Sequence, residues 1–517
     1  ENIYADAGFH QYDNYRFQPE HLRFFTLDRA FNDLYFSPLT GQNNFLVKAK
    51  FARNFDKKTQ ISLDYERILN EGIYNNQKTK STRFVIGLWK RSASNKHEYF
   101  VHFSANNHNE EINGGIMDEA QFDDPFGRVR NTIDVNLAGD TTRFQNFTYG
   151  IDNYLNIQSG KYKVHHGLKI GTGYFRYGDH DTDSPSDSLV YMEYLTENRG
   201  VRYYLGYHNV KNDFDLSFNS KSIGFKLGIT HFYQSFDDQV QKKNINDLVL
   251  RSQLDFKIKQ KIDFRGLAEL GVGTNAGNLN FKSHIAWKPV PKIRIQADAH
   301  VIRYDAFINQ QSVYVTEQEI FNNDFSKVNE LNIGGQVAFE GIGISAGFRS
   351  GIIDNAIHYN LMALPVQMDG STEYIQLTLD QKLNWKFIGI ENTLLYQSFS
   401  DNIYNLPKVY SIHKAYIEMK LFKRNLLTQI GMLYYNIQYD GALSFMPVTG
   451  TFYPSESSMD YFPYSEFFAN FKVKQFRLFI KVENFTDMLN RKEHFQIVNY
   501  PQYDYKTRIG VRWIIRG

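Results

Sequence analysis

Apolar and polar residues alternate at period two from about residue 45 to the end of this 517-residue chain. That property restricts the fold more than any motif does. Successive side chains of a strand point to opposite faces, so alternation marks strands with one apolar and one polar side. Ile223, Phe225, Leu227, Ile229, His231 and Tyr233 alternate with Gly224, Lys226, Gly228, Thr230 and Phe232. The same pattern runs through 248–258, 293–302 and 162–174. Helical periodicity is nowhere sustained, and the chain reads as all-β with about 21 candidate strands and no linker between them.

Composition agrees with this and removes other classes. Aromatic residues make up 16 % and charged residues 22 %, yet the net charge is only +2. So much apolar material excludes disorder. No run of 18 or more apolar residues exists, which excludes a helical membrane span. Balanced charge argues against a nucleic-acid partner bound through bulk electrostatics. With no Cys there is neither a disulfide framework nor a thiolate site. The opening Glu1-Asn2-Ile3-Tyr4 reads as a mature or trimmed terminus, which neither shows nor excludes export.

Connection lengths separate a barrel from a stack of sandwiches. Short turns are expected at Asp56–Thr59, Ser94–Lys96, Ser159–Lys161, Lys211–Asp213, Lys288–Lys292, Gly341–Gly343, Lys423–Asn425 and Lys474–Gln475. Longer connections fall between them, near 69–81, 108–145, 178–200, 235–246, 305–329, 350–373, 398–413, 436–465 and 486–504. Turns on one rim and loops on the other is the organisation of a transmembrane antiparallel β-barrel, with periplasmic turns and extracellular loops. Lipid cannot satisfy an open sheet edge, so the strand number should be even. Parity calls for an ascending strand near 28–37, which gives about 22 strands, with 18 or 20 as alternatives. The expected organisation is an N-terminal segment, 1–27, periplasmic or inside the barrel, followed by a single barrel over 28–517.

The polar face should line the lumen with both signs: Lys48, Lys50, Arg251, Asp255, Lys257, Asp263, Arg265, Glu269, Arg294, Asp298, Glu418, Lys420, Arg477, Lys481, Glu483, Lys506, Arg508 and Arg512. Such groups suit a water-filled channel, or they pair across neighbouring strands and stiffen an occluded one. The basic last strands lean toward anions.

Other motifs carry less chemistry. Gly343-Ile344-Ser345-Ala346-Gly347 matches a nucleophile elbow, but alternation runs through it, so Ser345 is expected on a strand rather than at a strand-to-helix turn. Asp179, Asp181, Asp183 and Asp187 lie in one loop and are the weak candidates for a metal. They lack the calcium-loop spacing, and a solvated acidic loop is the expected reading. His165 and His166 are adjacent in a strand and point apart, so they cannot chelate one metal together. No catalytic residue and no cofactor is expected.

Two stretches resemble a family, the "putative porin" outer-membrane proteins of Bacteroidetes. The first comprises Asn44–Val47, Ala52–Phe55, Ile61–Ile68, Glu71–Gln77 and Asn106–Ile116. The second comprises Phe479–Thr486, Tyr500–Tyr503 and Arg508–Trp513, and it also resembles the last hairpin of TonB-dependent receptor barrels. The resemblance implies a barrel in the bacterial outer membrane, in contact with lipid and lipopolysaccharide, and supplies no substrate. Three functions are therefore expected in order. The first is diffusion of small hydrophilic solutes through a loop-constricted lumen. The second is a scaffold for other outer-membrane or periplasmic proteins, and the third a TonB-dependent transporter barrel whose plug lies outside this chain.

Overall fold

The structure is a computed structural model that describes residues 3–38, 44–122, 129–180, 187–195, 200–259, 261–439, 441–457, 459, 461–488 and 494–516. Twenty-two strands form one antiparallel sheet closed on itself. The first half comprises β1 (Phe31–Pro38), β2 (Phe45–Asp56), β3 (Thr59–Asn70), β4 (Thr79–Arg91), β5 (His97–Ile112), β6 (Asp140–Ile157), β7 (Tyr162–Asp179), β8 (Val201–Asn219), β9 (Ile223–Asp237), β10 (Lys242–Ile258) and β11 (Ile262–Gly271). The second comprises β12 (Leu279–Val290), β13 (Ile293–Tyr304), β14 (Val328–Phe339), β15 (Ile344–Asp354), β16 (Ser371–Trp385), β17 (Ile388–Phe399), β18 (Val409–Leu421), β19 (Leu426–Gln438), β20 (Tyr464–Val473), β21 (Phe476–Glu483) and β22 (Lys506–Arg516). The seam between β22 and β1 places Phe31 opposite Arg516 and Leu34 opposite Trp513.

The two sides of the alternation separate as the physics requires. Leu227, Ile229, Leu250, Ile333, Leu377, Leu379, Ile417 and Trp513 stand exposed on the outer surface. Asp64, Glu66, Asn106, Asp213 and Asp215 point inward and are buried. The wall is uneven in height. β7 and β8 have 18 and 19 residues, whereas β1 and β21 have 8 each.

One rim carries only tight turns, such as 57–58, 291–292 and 474–475, and the other carries nearly all the long connections. Two expected connections differ. Lys211–Asp213 is no turn but the middle of β8, and the turn lies at 220–222, where Ser220 Oγ accepts from Ile223 N at 3.0 Å. Lys-Asn-Asp is turn-like in composition, yet Lys211 and Asp213 face the lumen, where charge is tolerated within a strand. The connection expected at 235–246 shrinks to 238–241, because β9 and β10 continue past the apolar belt. The Asp238 carboxylate closes this turn by accepting from Val240 N (3.0 Å) and Gln241 N (2.8 Å).

The long connections fold over the mouth rather than standing in solvent. Four carry hairpins of their own, at 312–322, 357–367, 442–455 and 495–501. Tyr191, Tyr194, Val313, Val315, Ala363, Met446 and Val448, from four different connections, share one apolar core with Phe144, Phe175, Tyr177 and Tyr203 of the barrel wall. Cross-links tie the connections together: Tyr194 Oη donates to Ala363 O (2.9 Å), Val498 N to Leu443 O (2.9 Å), and Arg130 forks onto Asp504 (2.8 and 2.9 Å). The result is a dome with a packed interior.

The inward and outward assignment predicts opposite tolerance at adjacent positions in the middle of β16. Leu377→Arg, on the lipid face, should destabilise the barrel by about 2–4 kcal/mol. Thr378→Arg, on the lumen face opposite Gly347 and Leu395, should cost under about 1 kcal/mol. Urea unfolding of the lipid-reconstituted protein measures both, and equal costs would contradict the assignment.

Candidate functional site

Three structures meet inside the barrel: a strap, an ion-paired wall and the dome. Residues 3–27 form the strap. Ile3 O accepts from Asn278 Nδ2 (2.8 Å) and Ala5 O from Gln234 Nε2 (2.9 Å), both high in the lumen. Phe9 stacks on Phe175 with centroids 4.2 Å apart, and Tyr12 on Phe144 at 5.2 Å, so the strap contributes to the dome core. It then descends the inside of β7 to β2. Glu20 pairs with Lys169, Ser62 Oγ donates to Arg23 O (2.7 Å), and Asn54 Nδ2 donates to Leu27 O (2.7 Å) near the short-turn rim, where β1 begins.

The charged residues named from the sequence share this inward face, and most are matched with an opposite charge. Lys48 pairs with Glu66 (2.7 Å) and Lys50 with Asp64 (2.6 Å). Arg251 reaches Asp213 (3.0 Å) and Asp215 (2.9 Å). Asp255 takes Arg265 (2.8 Å), Lys257 lies 3.4 Å from Asp263, and Glu269 accepts from Asn280 (2.7 Å). Arg294 meets Glu340 (3.0 Å) and Asp298 meets Arg349 (2.9 Å). Lys481 pairs with Glu466 (2.9 Å), Glu483 with Arg508 (2.9 Å), and Arg512 forks onto Asp33 across the seam. Arg477 faces Arg512 and Lys472 across its two neighbours, and the Lys506 ammonium sits 4.4 Å from the Tyr503 ring centroid. Pairing thus cancels part of the basic excess that the last strands show in the sequence, and Arg477 and Lys506 keep the rest.

Exposure divides this wall. Beneath the strap, Gln60, Ser62 and Glu66 are buried. On β10, β11 and β16, towards the short-turn rim, the side chains of Arg265, Lys257 and Lys382 remain 74 %, 66 % and 64 % exposed. One side of the lumen is occupied by the chain itself and the other is wet.

A cluster missed in the sequence lies on the inward face of β6 to β9. His165 bridges Asp152 and Asp215, with 2.8 Å to each, and Lys226 adds a contact of 3.1 Å to Asp215. Reading Lys211–Asp213 as a turn concealed it, because that reading moved Asp213 and Asp215 off the inward face. His166 lies on the opposite side, across from Phe214 and Asn153. Ser345 sits on β15 opposite Ala338 and Asp380, within the sheet.

Of the four acidic candidates, Asp181 and Asp183 lie outside the described residues. Asp179 and Asp187 are buried, so the expectation of a solvated acidic loop fails for both. The connection folds back, and Tyr191 Oη lies 2.6 Å from Asp179 and 2.7 Å from Asp140. Tyr177 Oη also reaches Asp140, at 2.9 Å. Among the described residues no group of three or more His, Asp and Glu side chains could hold a metal ion. On the outer face of β6, Thr141, Arg143 and Gln145 precede Phe147, Tyr149 and Ile151, so Asp140 stands above the apolar belt. Burial, offset in part by the Tyr191 hydrogen bond and reinforced by the neighbouring Asp179, pushes the Asp140 carboxyl up to about 7.

Comparison with known proteins places this geometry. A family model described as "putative porin" matches residues 1–515. No curated protein matches the sequence. Among solved structures, the FrpB iron transporter of Neisseria meningitidis (F3-3 variant) superposes with a TM-score of 0.65 at 9 % identity, over 95 % of this chain and 82 % of that one. The siderophore receptor PirA of Acinetobacter baumannii gives 0.66 at 9 % identity, over 95 % and 81 %. The copper transporter OprC gives 0.69 at 7 % identity, over 96 % and 82 %. At such identities the likeness is one of fold.

The Asp140 environment predicts a pH-dependent dome. In an unfolded connection an Asp ionises near pH 4, whereas here the proton is held up to about 7. The folded dome therefore binds the extra proton between these values, and its stability should fall as pH rises from about 4 to about 7, then level off. Amide-exchange protection factors around Tyr191 should follow that slope, and Asp140→Asn should flatten it.

Proposed function

This chain belongs to the "putative porin" family, and from that we propose that it is an outer-membrane conduit for small hydrophilic solutes, closed at rest by its dome and strap. The observation that carries the reading is the divided lumen. One half of the wall keeps exposed, oppositely charged side chains that hold water and polarise passing solutes, while the other half is covered by a segment of the same chain. A barrel this wide needs a filler to remain a permeability barrier. The strap and the converging connections supply one from within, which weakens the case for a permanent partner in the lumen and with it the scaffold reading. Mixed, paired charge supports passage of neutral or zwitterionic solutes more than strong ion selectivity. No residue is given a catalytic role.

A second reading, a receptor-type transporter whose plug lies outside this chain, is favoured by the likeness in fold to the iron, siderophore and copper transporters. Their cargoes belong to those proteins.

Planar-bilayer recording tests the conduit. The native protein should conduct in small, infrequent steps. Met446→Asp, which puts a charge into the dome core, should raise the open fraction several-fold. A folded, heat-modifiable barrel that conducts in neither form would overturn the reading, and conductance appearing only with an added plug and an energy source would favour the receptor.

A further inference from the structure

We propose that the inward face of β2 to β5 is a binding track for an extended polypeptide, held at rest by the strap and open to a second peptide in the same register when the strap leaves. This rests on the gated-conduit reading and widens its solutes from small hydrophilic ones to peptides.

The wall holds the strap by its main chain. Asn106 accepts from Phe17 N (2.7 Å) through Oδ1 and donates to Phe17 O (3.0 Å) through Nδ2. Gln60 does the same for Phe25, accepting from its N–H at 2.7 Å and donating to its carbonyl. A carboxamide that takes both main-chain groups of one residue copies what a neighbouring strand would offer, and it reads no side chain. Ser62 and Asn54 continue the series to the carbonyls of Arg23 and Leu27. Residues 23, 25 and 27 are thus gripped at period two, the repeat of an extended chain, and a 3-10 turn over Pro19–His21 separates this stretch from the grip on Phe17. Leu22 and Phe24 enter where the wall lacks a side chain: a Cβ on Gly87 would lie 2.4 Å from Leu22 Cδ2 and 2.9 Å from Phe24 Cζ. Phe17 lies beneath the Arg83 guanidinium, 4.4 Å from its ring centroid.

Solutes of other classes do not present this pattern. A sugar or an inorganic ion offers no N–H and C=O in fixed register every second residue. The exchange is also feasible. Gln60, Ser62 and Asn106 are each only 1 % exposed beneath the strap, and in an aqueous lumen both they and the released main chain would be hydrated rather than orphaned. The track is therefore tolerant of sequence, with a preference for apolar or aromatic residues at the positions of Phe17, Leu22 and Phe24.

The test uses the full chain in nanodiscs with the strap loosened and the wall intact. Glu20→Lys sets like charges against Lys169, and Phe25→Pro removes the N–H given to Gln60. The probe is a fluorescent peptide with the sequence of residues 14–27. Both variants should bind it more tightly than the native chain does. Methylating the peptide nitrogen that corresponds to Phe17 should weaken binding about tenfold, because it removes a main-chain donor and leaves every side chain in place. A peptide of different sequence with the same apolar spacing should bind within a few-fold, and a maltooligosaccharide of similar mass should not compete. Equal binding of the methylated peptide, competition by the oligosaccharide, or no binding in either folded variant would overturn the track. Bilayer conductance of the same preparations separates the two readings: gated conductance without peptide binding leaves the conduit standing, and peptide binding without conductance leaves the track.

Discussion

A hydrocarbon layer offers no hydrogen-bond partner to a peptide group, and the rest of this structure depends on that constraint. Every strand must find a neighbour on both sides, so the sheet has to close, and the β22–β1 seam does so by pairing Phe31–Phe36 with Val511–Arg516. Closure then dictates the alternation, since each strand has lipid on one face and lumen on the other. The high aromatic content and the average hydrophilicity of the chain are two faces of the same strands.

Closing 22 strands creates a second constraint, a lumen too wide to leave empty. The chain answers it with two kinds of interaction. The dome is a dry, aromatic core in which residues far apart in sequence, from Phe9 to Val448, are packed together. The strap below it is held largely by hydrogen bonds from wall side chains to its main chain, and by the Glu20–Lys169 pair. Dry packing resists opening, whereas these hydrogen bonds, though buried while the strap is in place, contribute little net stability and can be exchanged for water once it leaves. The two parts of the filler are therefore built for different degrees of permanence.

The barrel was legible in the sequence because period two is a local signal repeated in every strand. The strand number followed from turn parity, and the inward charges from their place in the alternation. What could not be read was long-range. The strap is recognised by Asn54, Gln60 and Asn106, which lie 27, 35 and 89 residues from their partners. Asn and Gln at strand positions look like ordinary lumen polarity, and nothing local marks them as clamps. Lys211–Asp213 misled for the opposite reason: its turn-like composition is a local signal, overridden by the lumen, and with it went the His165–Asp215–Arg251 cluster. Asp179 looks solvated in sequence and is buried because Tyr191 folds back onto it, and Asp187 is buried at the start of the helix that carries Tyr191.

The uneven wall has a consequence for the membrane itself. Strands of 8 residues at β1 and β21, rising ~3.3 Å per residue and tilted ~45°, stand only ~19 Å high, against an apolar band of ~25 Å in barrels of this kind. β22, between them, has 11 residues and reaches ~26 Å, so the seam spans the band on one strand flanked by two shorter ones, while β7 and β8 pass through the band and beyond. A wall of such unequal height meets a flat bilayer differently on its two flanks.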